Sequence, residues 1–369
     1  MISFPTQYAK IIERIDQIDP VRYSKSRNYL DGAVSYLSPY ISRGVISTKQ
    51  VMEHVLTLGL KYYQVEKFIQ ELAWRDYWQQ VWINKGDLIN QDLKHPQPHV
   101  VHHEMPASIL KGDTGIKAID KAIEELNRIG YMHNHVRMYV AAMACNIAHS
   151  HWLTPARWMY YHLLDGDWAS NALSWQWVAG ANSNKCYLAN QENINRYCHT
   201  DQTGTFLDKS YEALGASSSC PEVLQATTLP KLETQLPTTI PLTLDPEIPS
   251  VIYTSYNLDP NWKSDIAANR ILHLDPIHFK QYPVSSHVIS FIIQLAKDNI
   301  PGIQLFTGSF DELKRQLLGS QVYFKEHPTT RHYEGVEEER DWMFSVKGYY
   351  PSFFSYYKKC KKELAHLKT

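Results

Sequence analysis

Y-M-H-N-H-V-R-M (131–138), H-W (151–152) and L-L-D-G-D-W-A-S-N-A-L-S-W-Q-W (163–177) decide the reading of this chain. Residues 133–150 read as a buried helix rich in Ala and Met. On it Asn134 and Met138 are i, i+4 neighbours, as are His133 and Arg137. Asp165 and Asp167 have the spacing of a turn or a helix start. An Asp buried beside Arg137 is satisfied, whereas an unpaired one is costly. Asn171 follows within a few residues of both. An arginine, two carboxylates, an amide and several tryptophans are what a buried anionic redox cofactor with an electron path to the surface requires. A tryptophan-rich core with one internal ion pair is the other reading of the same residues.

Working outward, residues 1–210 read as mostly helical. V-E-K-F-I-Q-E-L-A-W-R-D-Y-W-Q-Q-V-W (65–82) puts Phe68, Leu72, Trp78 and Trp82 at helical spacing. Residues 116–128 have a strongly helical composition, and Gly130 ends that helix. Residues 215–250 change to Pro, Thr and Ser and read as an extended linker. Beyond it the pattern alternates. Candidate strands are 251–256, 270–275, 303–308, 322–326 and 342–346; candidate helices are 285–298 and 309–318. Strand–helix–strand order implies a parallel sheet. The tail at 349–364 is aromatic, then basic: a docking helix, an oligomer contact or a nucleic-acid patch. Docking is favoured, because exposed aromatics at that density are costly. The expected fold class is all-α followed by α/β. It comprises an N-terminal helical domain (1–210), a Pro/Thr/Ser-rich linker (211–250), and a small parallel-sheet domain with its tail (251–369).

The 369 residues suffice for two domains, and a 44% hydrophobic content supplies a sizeable core. A net charge of −1 gives no bulk basic field, so nucleic-acid binding needs a local patch. Cys145, Cys186, Cys198, Cys220 and Cys360 are odd in number and form no C-x-x-C. That favours free thiols in a reducing compartment, and the spacing supports no metal site. The N-terminus lacks a basic-then-apolar leader, and no apolar run reaches the length of a membrane span. The expectation is a cytoplasmic protein without a membrane partner.

Two further motifs carry chemistry. In G-A-V-S-Y-L-S-P-Y-I-S-R-G (32–44), backbone N–H groups and the Ser35 and Ser38 hydroxyls suit phosphate oxygens. Ser-x-x-Ser-Pro is equally ordinary helix capping, and alone that is the favoured reading. In F-I-Q-E-L-A-W-R-D-Y-W (68–78), Glu71, Trp74 and Arg75 lie at i, i+3 and i+4. An Arg beside a phosphate loop neutralises diphosphate charge, and Trp74 suits stacking on a planar base. An exposed Glu–Arg pair near a core Trp is the competing account, with equal weight.

Taken in order, the three motifs resemble the FAD-binding helical domain of the photolyase/cryptochrome family over about residues 20–200. The family's diphosphate-binding T-S-x-L-S resembles V-S-Y-L-S here, which assigns Val34, Ser35, Leu37 and Ser38 to the cofactor. Tyr23 resembles a tyrosine that contacts the FAD phosphate. E-L-x-W-R-E-F-Y resembles E-L-A-W-R-D-Y-W, carrying Arg75 to FAD and Glu71 and Trp74 to a DNA lesion. W-M-H-N-R-x-R-M resembles Y-M-H-N-H-V-R-M. This makes Arg137 a flavin neighbour paired with Asp165, and places Asn134 and Met138 at the lesion pocket. D-G-D-x-A-x-N resembles D-G-D-W-A-S-N, so Asp167 meets the ribityl or isoalloxazine part and Asn171 faces N5. Trp175 resembles the flavin-proximal electron donor, and Trp152 the middle one.

The chain departs from the family in places. Val34 replaces a Thr, Tyr131 a Trp and His135 an Arg. The outer donor tryptophan should fall at about 95–106, where no Trp occurs; either the donor chain is short or Tyr160 or Tyr161 supplies the exit. The family's α/β antenna domain precedes its helical domain, whereas the α/β segment here follows it. L-D-P (274–276) and L-F-T-G (305–308) look like pieces of that antenna domain, so a reversed domain order is expected. The resemblance implies a light-driven DNA photolyase that repairs cyclobutane pyrimidine dimers through excited reduced FAD. Its partner would be damaged DNA, single- or double-stranded, and a second antenna chromophore is open. The alternative is a cryptochrome-like blue-light sensor that reports FAD redox state to a signalling partner.

Overall fold

The computed structural model describes residues 2–317 and 319–366. Helix α1 (Tyr62–Lys85) forms where the apolar spacing predicts it and buries Val65, Phe68, Ile69, Ala73, Tyr77, Trp78 and Trp82. Helix α2 (Lys117–Ile129) buries one stripe of Ala118, Ile119, Ala122, Ile123 and Leu126. Gly130 stops it at φ +69°, and its N–H bonds back to the Leu126 carbonyl. A Cβ there would lie 2.7 Å from Leu164 Cγ.

Helix α3 (Asn134–Ala142) is capped by His133, whose side chain accepts from the His135 N–H. It continues as a π turn over Met143–Ile147. Helix α4 (Leu153–His162) follows. Helix α5 (Trp168–Ala179) starts at Asp167, whose side chain accepts from Ser170 N at 3.0 Å. It is buried on nearly every side, which explains its apolar composition. Gln176 inside it is 0% exposed, yet it accepts from Leu93 N and donates to Ile89 O.

Five parallel strands follow: β1 (Ser250–Tyr253), β2 (Asn269–Leu274), β3 (Gln304–Thr307), β4 (Val322–Lys325) and β5 (Val336–Glu338). Their spatial order is β3-β2-β1-β4-β5, with β1 and β2 in register from Ser250 opposite Asn269 to Tyr253 opposite Leu272. This is the order of a doubly wound sheet. Helices α6 (Ser286–Asn299) and α7 (Phe310–Gln316) serve as crossovers. Ile252, Ile271, Phe306, Phe310, Leu313 and Phe324 fill its core. The sequence-based end of α7, at 318, lies outside the described residues, as do 367–369 of the tail.

Two expectations need correction. Residues 342–346 are not a strand; Met343 and Phe344 are buried against the protein, with Met343 N donating to Asp76 Oδ2. The fifth strand is Val336–Glu338, whose V-E-E composition hides it. The expected extended linker (211–250) is not extended throughout: Tyr211–Ala216 and Glu222–Gln225 are short helices and Thr227–Thr228 pairs with Met105–Pro106, whereas residues 229–247 contain no regular element and are bound along the sheet. The Thr234 hydroxyl bonds Val284 O, Thr243 exchanges two bonds with the Gln304 side chain, and Leu242 and Leu244 pack on the core. The Thr239 hydroxyl bonds Thr307 and the Thr243 backbone bonds Gln304, so the segment is a strap over edge strand β3.

The tail forms α8 (Phe353–His366). Phe353, Tyr356, Tyr357, Cys360 and Leu364 are buried at helical spacing. The helix touches α1 at three places: Phe353 meets Trp74, Tyr357 OH meets Tyr62 OH at 3.0 Å, and Lys361 pairs with Glu66 at 2.7 Å. Lys358, Lys359 and Lys362 remain exposed.

The chain divides into two compact units, one of Met1–Pro20, Ser35–Asn84 and Glu233–Thr369, the other of Val21–Val34 and Lys85–Leu232. This differs from the sequence-based division. Residues 35–84, including most of α1, group with the parallel sheet. Such grouping depends on contacts far apart in sequence, which composition does not reveal.

Candidate functional site

The residues singled out from the sequence fall into two groups, one in each unit. In the unit of Lys85–Leu232, Arg137 projects from α3. Its Nη2 meets Asp165 Oδ1 at 3.0 Å and Oδ2 at 2.9 Å, and its Nε donates to Met132 O at 2.8 Å. The Arg137 side chain keeps 19% exposure and Asp165 only 4%, so the carboxylate is buried and charge-balanced. Asp165 stands in the tight connection from α4 to α5, and Asp167 two residues on is the N-cap of α5. One turn further, Asn171 Nδ2 donates to Ala156 O on α4 at 2.8 Å. Asn134, the first residue of α3, is exposed, and Met138 is half-buried.

The histidines around Arg137 carry no charge at neutral pH. His133 is pushed down to about 4 by burial, reinforced by His135 and Arg137. His135 is pushed down to about 4 by burial and then by Arg27. The cations of this region are therefore Arg27 and Arg137, and the Arg137 guanidinium lies 5.6 Å from the Tyr131 ring centre.

Trp152 and Trp175 are both buried. Trp152 Nε1 donates to Asp92 Oδ1 at 2.8 Å. Gln97 clamps the same loop, donating its backbone N–H to Asp92 Oδ2 and accepting from Trp152 N. Sequence reasoning missed Asp92 and Gln97, because they stand about sixty residues before Trp152 with no local signal. Tyr160 is buried and Tyr161 half-buried. Tyr23, on the short helix Pro20–Ser26, and Val34 are half-buried in this unit.

In the other unit, Glu71, Trp74 and Arg75 are half-buried on α1. Glu71 pairs with Lys67 at 2.7 Å, and Arg75 Nη1 donates to the Ser42 hydroxyl at 2.6 Å. The candidate phosphate segment turns at Tyr36, with φ +53°, and leads into a single helical turn at Ser38–Ser42. Ser35 and Ser38 are half-buried and Leu37 is buried. The Trp74 ring is stacked on Phe353, 3.9 Å between centres and 11° between planes. No sequence motif anticipates that contact.

The first group suits the ring and sugar of a flavin. It combines one held cation, a carboxylate at a helix start and a fixed neutral amide. His133 Nε2 and Ser170 Oγ, neighbours in sequence of these residues, are buried without a protein partner. Such atoms are costly unless a further polar group meets them.

Comparison with known proteins identifies residues 68–223 as matching the FAD binding domain of DNA photolyase. This part of the chain belongs to the photolyase/cryptochrome family. A deoxyribodipyrimidine photo-lyase of Alkalihalophilus pseudofirmus is 28% identical over 177 residues, covering 47% of this chain and 37% of the relative. One from Streptomyces griseus is 35% identical over 150 residues, covering 40% and 32%. A protein named Cryptochrome DASH from Synechocystis is 31% identical over 175 residues, covering 43% and 34%. The match thus spans about a third of each relative's length. The photolyase-type domain contains Arg137, Asp165, Asp167 and Asn171, and it extends across both units, since Glu71, Trp74 and Arg75 lie inside it as well. Among the described residues no helix is long and apolar enough to cross a membrane.

Proposed function

We propose that the protein is a light-driven photolyase-like flavoprotein that repairs cyclobutane pyrimidine dimers in single- or double-stranded DNA. The observation that carries this reading is the buried Arg137–Asp165 pair, set with Asp167 and Asn171 inside an FAD-binding photolyase-type domain. Bound FAD would supply the light absorption and the electron that splits the dimer.

The chain's own residues prepare for that chemistry. Arg137, fixed by Asp165 and Met132 O, would offer a preorganised positive charge to a bound isoalloxazine ring. Asn171, held by Ala156 O, would offer a neutral amide to its N5. Asp167 serves the ribityl or ring edge, while Tyr23, Val34, Ser35, Leu37, Ser38 and Arg75 serve the diphosphate. Glu71, Trp74, Asn134 and Met138 receive the dimer once it leaves the duplex. Trp175 and Trp152 return electrons inward. Exposed Lys358, Lys359 and Lys362 on α8 are a local basic patch in a chain of net charge −1. The cysteines among the described residues are all free, in keeping with a cytoplasmic setting.

A single chromophore is the simpler form of this proposal. A second pigment on a doubly wound sheet enters where the strand order reverses, at the C-terminal ends of β1 and β4. There Tyr256 stacks on His327 at 4.3 Å, Trp82 meets His327 edge-on, and all three are buried.

One observation favours the second reading, a cryptochrome-like sensor acting through a signalling partner: α8 covers a face of Trp74 with Phe353. The deciding experiment purifies the protein, records its flavin spectrum, reduces it and illuminates it with dimer-containing oligonucleotides of both strand types. Dimer loss is expected. A flavin spectrum without dimer loss leaves the sensor, and a colourless protein that takes up no added FAD removes both.

A further inference from the structure

Trp152 is 0% exposed, but its indole N–H ends on a group that reaches solvent. Asp92 Oδ1 accepts that N–H at 2.8 Å. Asp92 keeps 24% exposure and lines an open cleft of about 560 Å³ with Asn90, Gln91, His103, His151 and Thr154. His151 Nε2 lies 3.2 Å from the same oxygen. Leu153 N donates to His151 Nδ1, so the ring proton of the neutral imidazole sits on Nε2 and points at Asp92. Burial holds His151 below its ordinary value against the pull of Asp92, which keeps it a neutral donor at neutral pH. Its ring also stacks on the exposed His103 at 4.8 Å.

We infer that Asp92 is the proton acceptor that makes Trp152 the last electron donor of this chain, in place of an outer tryptophan. This rests on the donor role proposed above for Trp152 and Trp175. Bound oxidised FAD would supply, on excitation, the oxidant that takes one electron from Trp175, and one electron would then pass from Trp152 to Trp175. The loss turns the Trp152 indole, a very weak acid, into a strong enough acid to give up its N–H. The Nε1–H bond breaks with its electron pair left on nitrogen, and the proton forms an O–H bond with Asp92 Oδ1. Trp152 is left as a neutral radical and Asp92 as a carboxylic acid. Water in the cleft takes that proton and restores the carboxylate. A thiol reductant in solution later returns an electron and a proton to Trp152. A neutral radical cannot be refilled by simple electron return, so deprotonation holds the charge separation open without a further hop. The open cleft beside Asp92 gives the proton an outlet that the buried ring itself lacks.

Asp92→Asn keeps an oxygen that accepts the indole N–H but is a far weaker base. In FAD-loaded protein, flash spectroscopy should show a neutral tryptophanyl radical in the wild type. The variant should show the protonated radical instead, with charge recombination at least tenfold faster. Light-induced infrared difference spectra should show a carboxylic-acid C=O band that the variant lacks. In flavin-free protein, the Trp152 indole N–H resonance should stay hydrogen-bonded in the variant, establishing that geometry survived. A neutral radical of wild-type lifetime in Asp92→Asn overturns the assignment of Asp92 alone. Wild-type protein that holds FAD, reduces on illumination and gives no radical sensitive to Trp152→Phe overturns the donor reading together with it.

Discussion

Arg137 and Asp165, 28 residues apart in sequence, form a two-oxygen ion pair at 3.0 and 2.9 Å that joins α3 to the turn between α4 and α5. Removing one partner leaves a charge in a place built for two. Asp165→Ala should lower stability by about 3 kcal/mol, the low end for a buried pair because Arg137 keeps 19% exposure. Flavin per chain after purification should fall as well. Denaturant midpoints check the first effect and absorbance ratios the second; undiminished flavin content would refute the role given to the pair.

Phe353 contributes differently. It lies 2% exposed against Trp74 and also within 5.4 Å of Tyr357. Phe353→Ala should destabilise the protein by about 3 kcal/mol through lost burial and an imperfectly closed gap. If α8 competes with DNA for Trp74, the same variant should bind dimer-containing oligonucleotides more tightly than the wild type. Equilibrium binding at fixed salt is the measurement, and unchanged affinity would mean that the covered face of Trp74 is not the one used.

The reach of the sequence can be followed through these residues. The long helix α1, the stop at Gly130 and four of the five parallel strands were legible, because burial imposes a period on nearby residues. Strand β5 was not, since an edge strand of Val-Glu-Glu has no apolar alternation to show. The Arg137–Asp165 pair was legible, because a buried carboxylate needs a nearby cation. The Trp74–Phe353 stack and the Trp152–Asp92 bond were not. Each joins residues that only the folded chain brings together, and neither partner has a distinguishing neighbourhood of its own. The division into two units was hidden for the same reason.

Acid should weaken the protein in a defined window. His133 titrates near 4 in the folded state, against an ordinary value of 6.5, because burial disfavours its charged form. Between those values the unfolded chain binds more protons than the native one. Its contribution is therefore complete above pH 6.5 and is lost as pH falls toward 4, by roughly 3 kcal/mol at most. Asp76 acts in the opposite sense. Burial raises its carboxyl to about 6, so its contribution is lost as pH rises from about 4 to 6. A wild-type curve sums these with the other buried groups, His135 among them, and the variant isolates one. His133→Asn retains an N-cap acceptor for α3 but does not titrate. Urea midpoints from pH 4 to 7 should fall less steeply on acidification in His133→Asn than in the wild type.

Trp175 sits in the interior of α5, one helical turn beyond Asn171 and 2% exposed. If Asn171 faces the flavin and Trp175 feeds it, removing the indole should interrupt electron supply without emptying the site. Trp175→Phe preserves an aromatic ring and most of the buried area, so flavin occupancy should stay within about twofold of the wild type. Photoreduction of oxidised FAD in the presence of thiol should slow at least tenfold. Retained occupancy with an unchanged photoreduction rate would move the proximal donor to another of the buried aromatics. Occupancy and rate lost together would make Trp175 a packing residue whose loss collapses the pocket. The pair of measurements separates an electron path from a core, the choice that the residues from 131 to 177 posed at the outset.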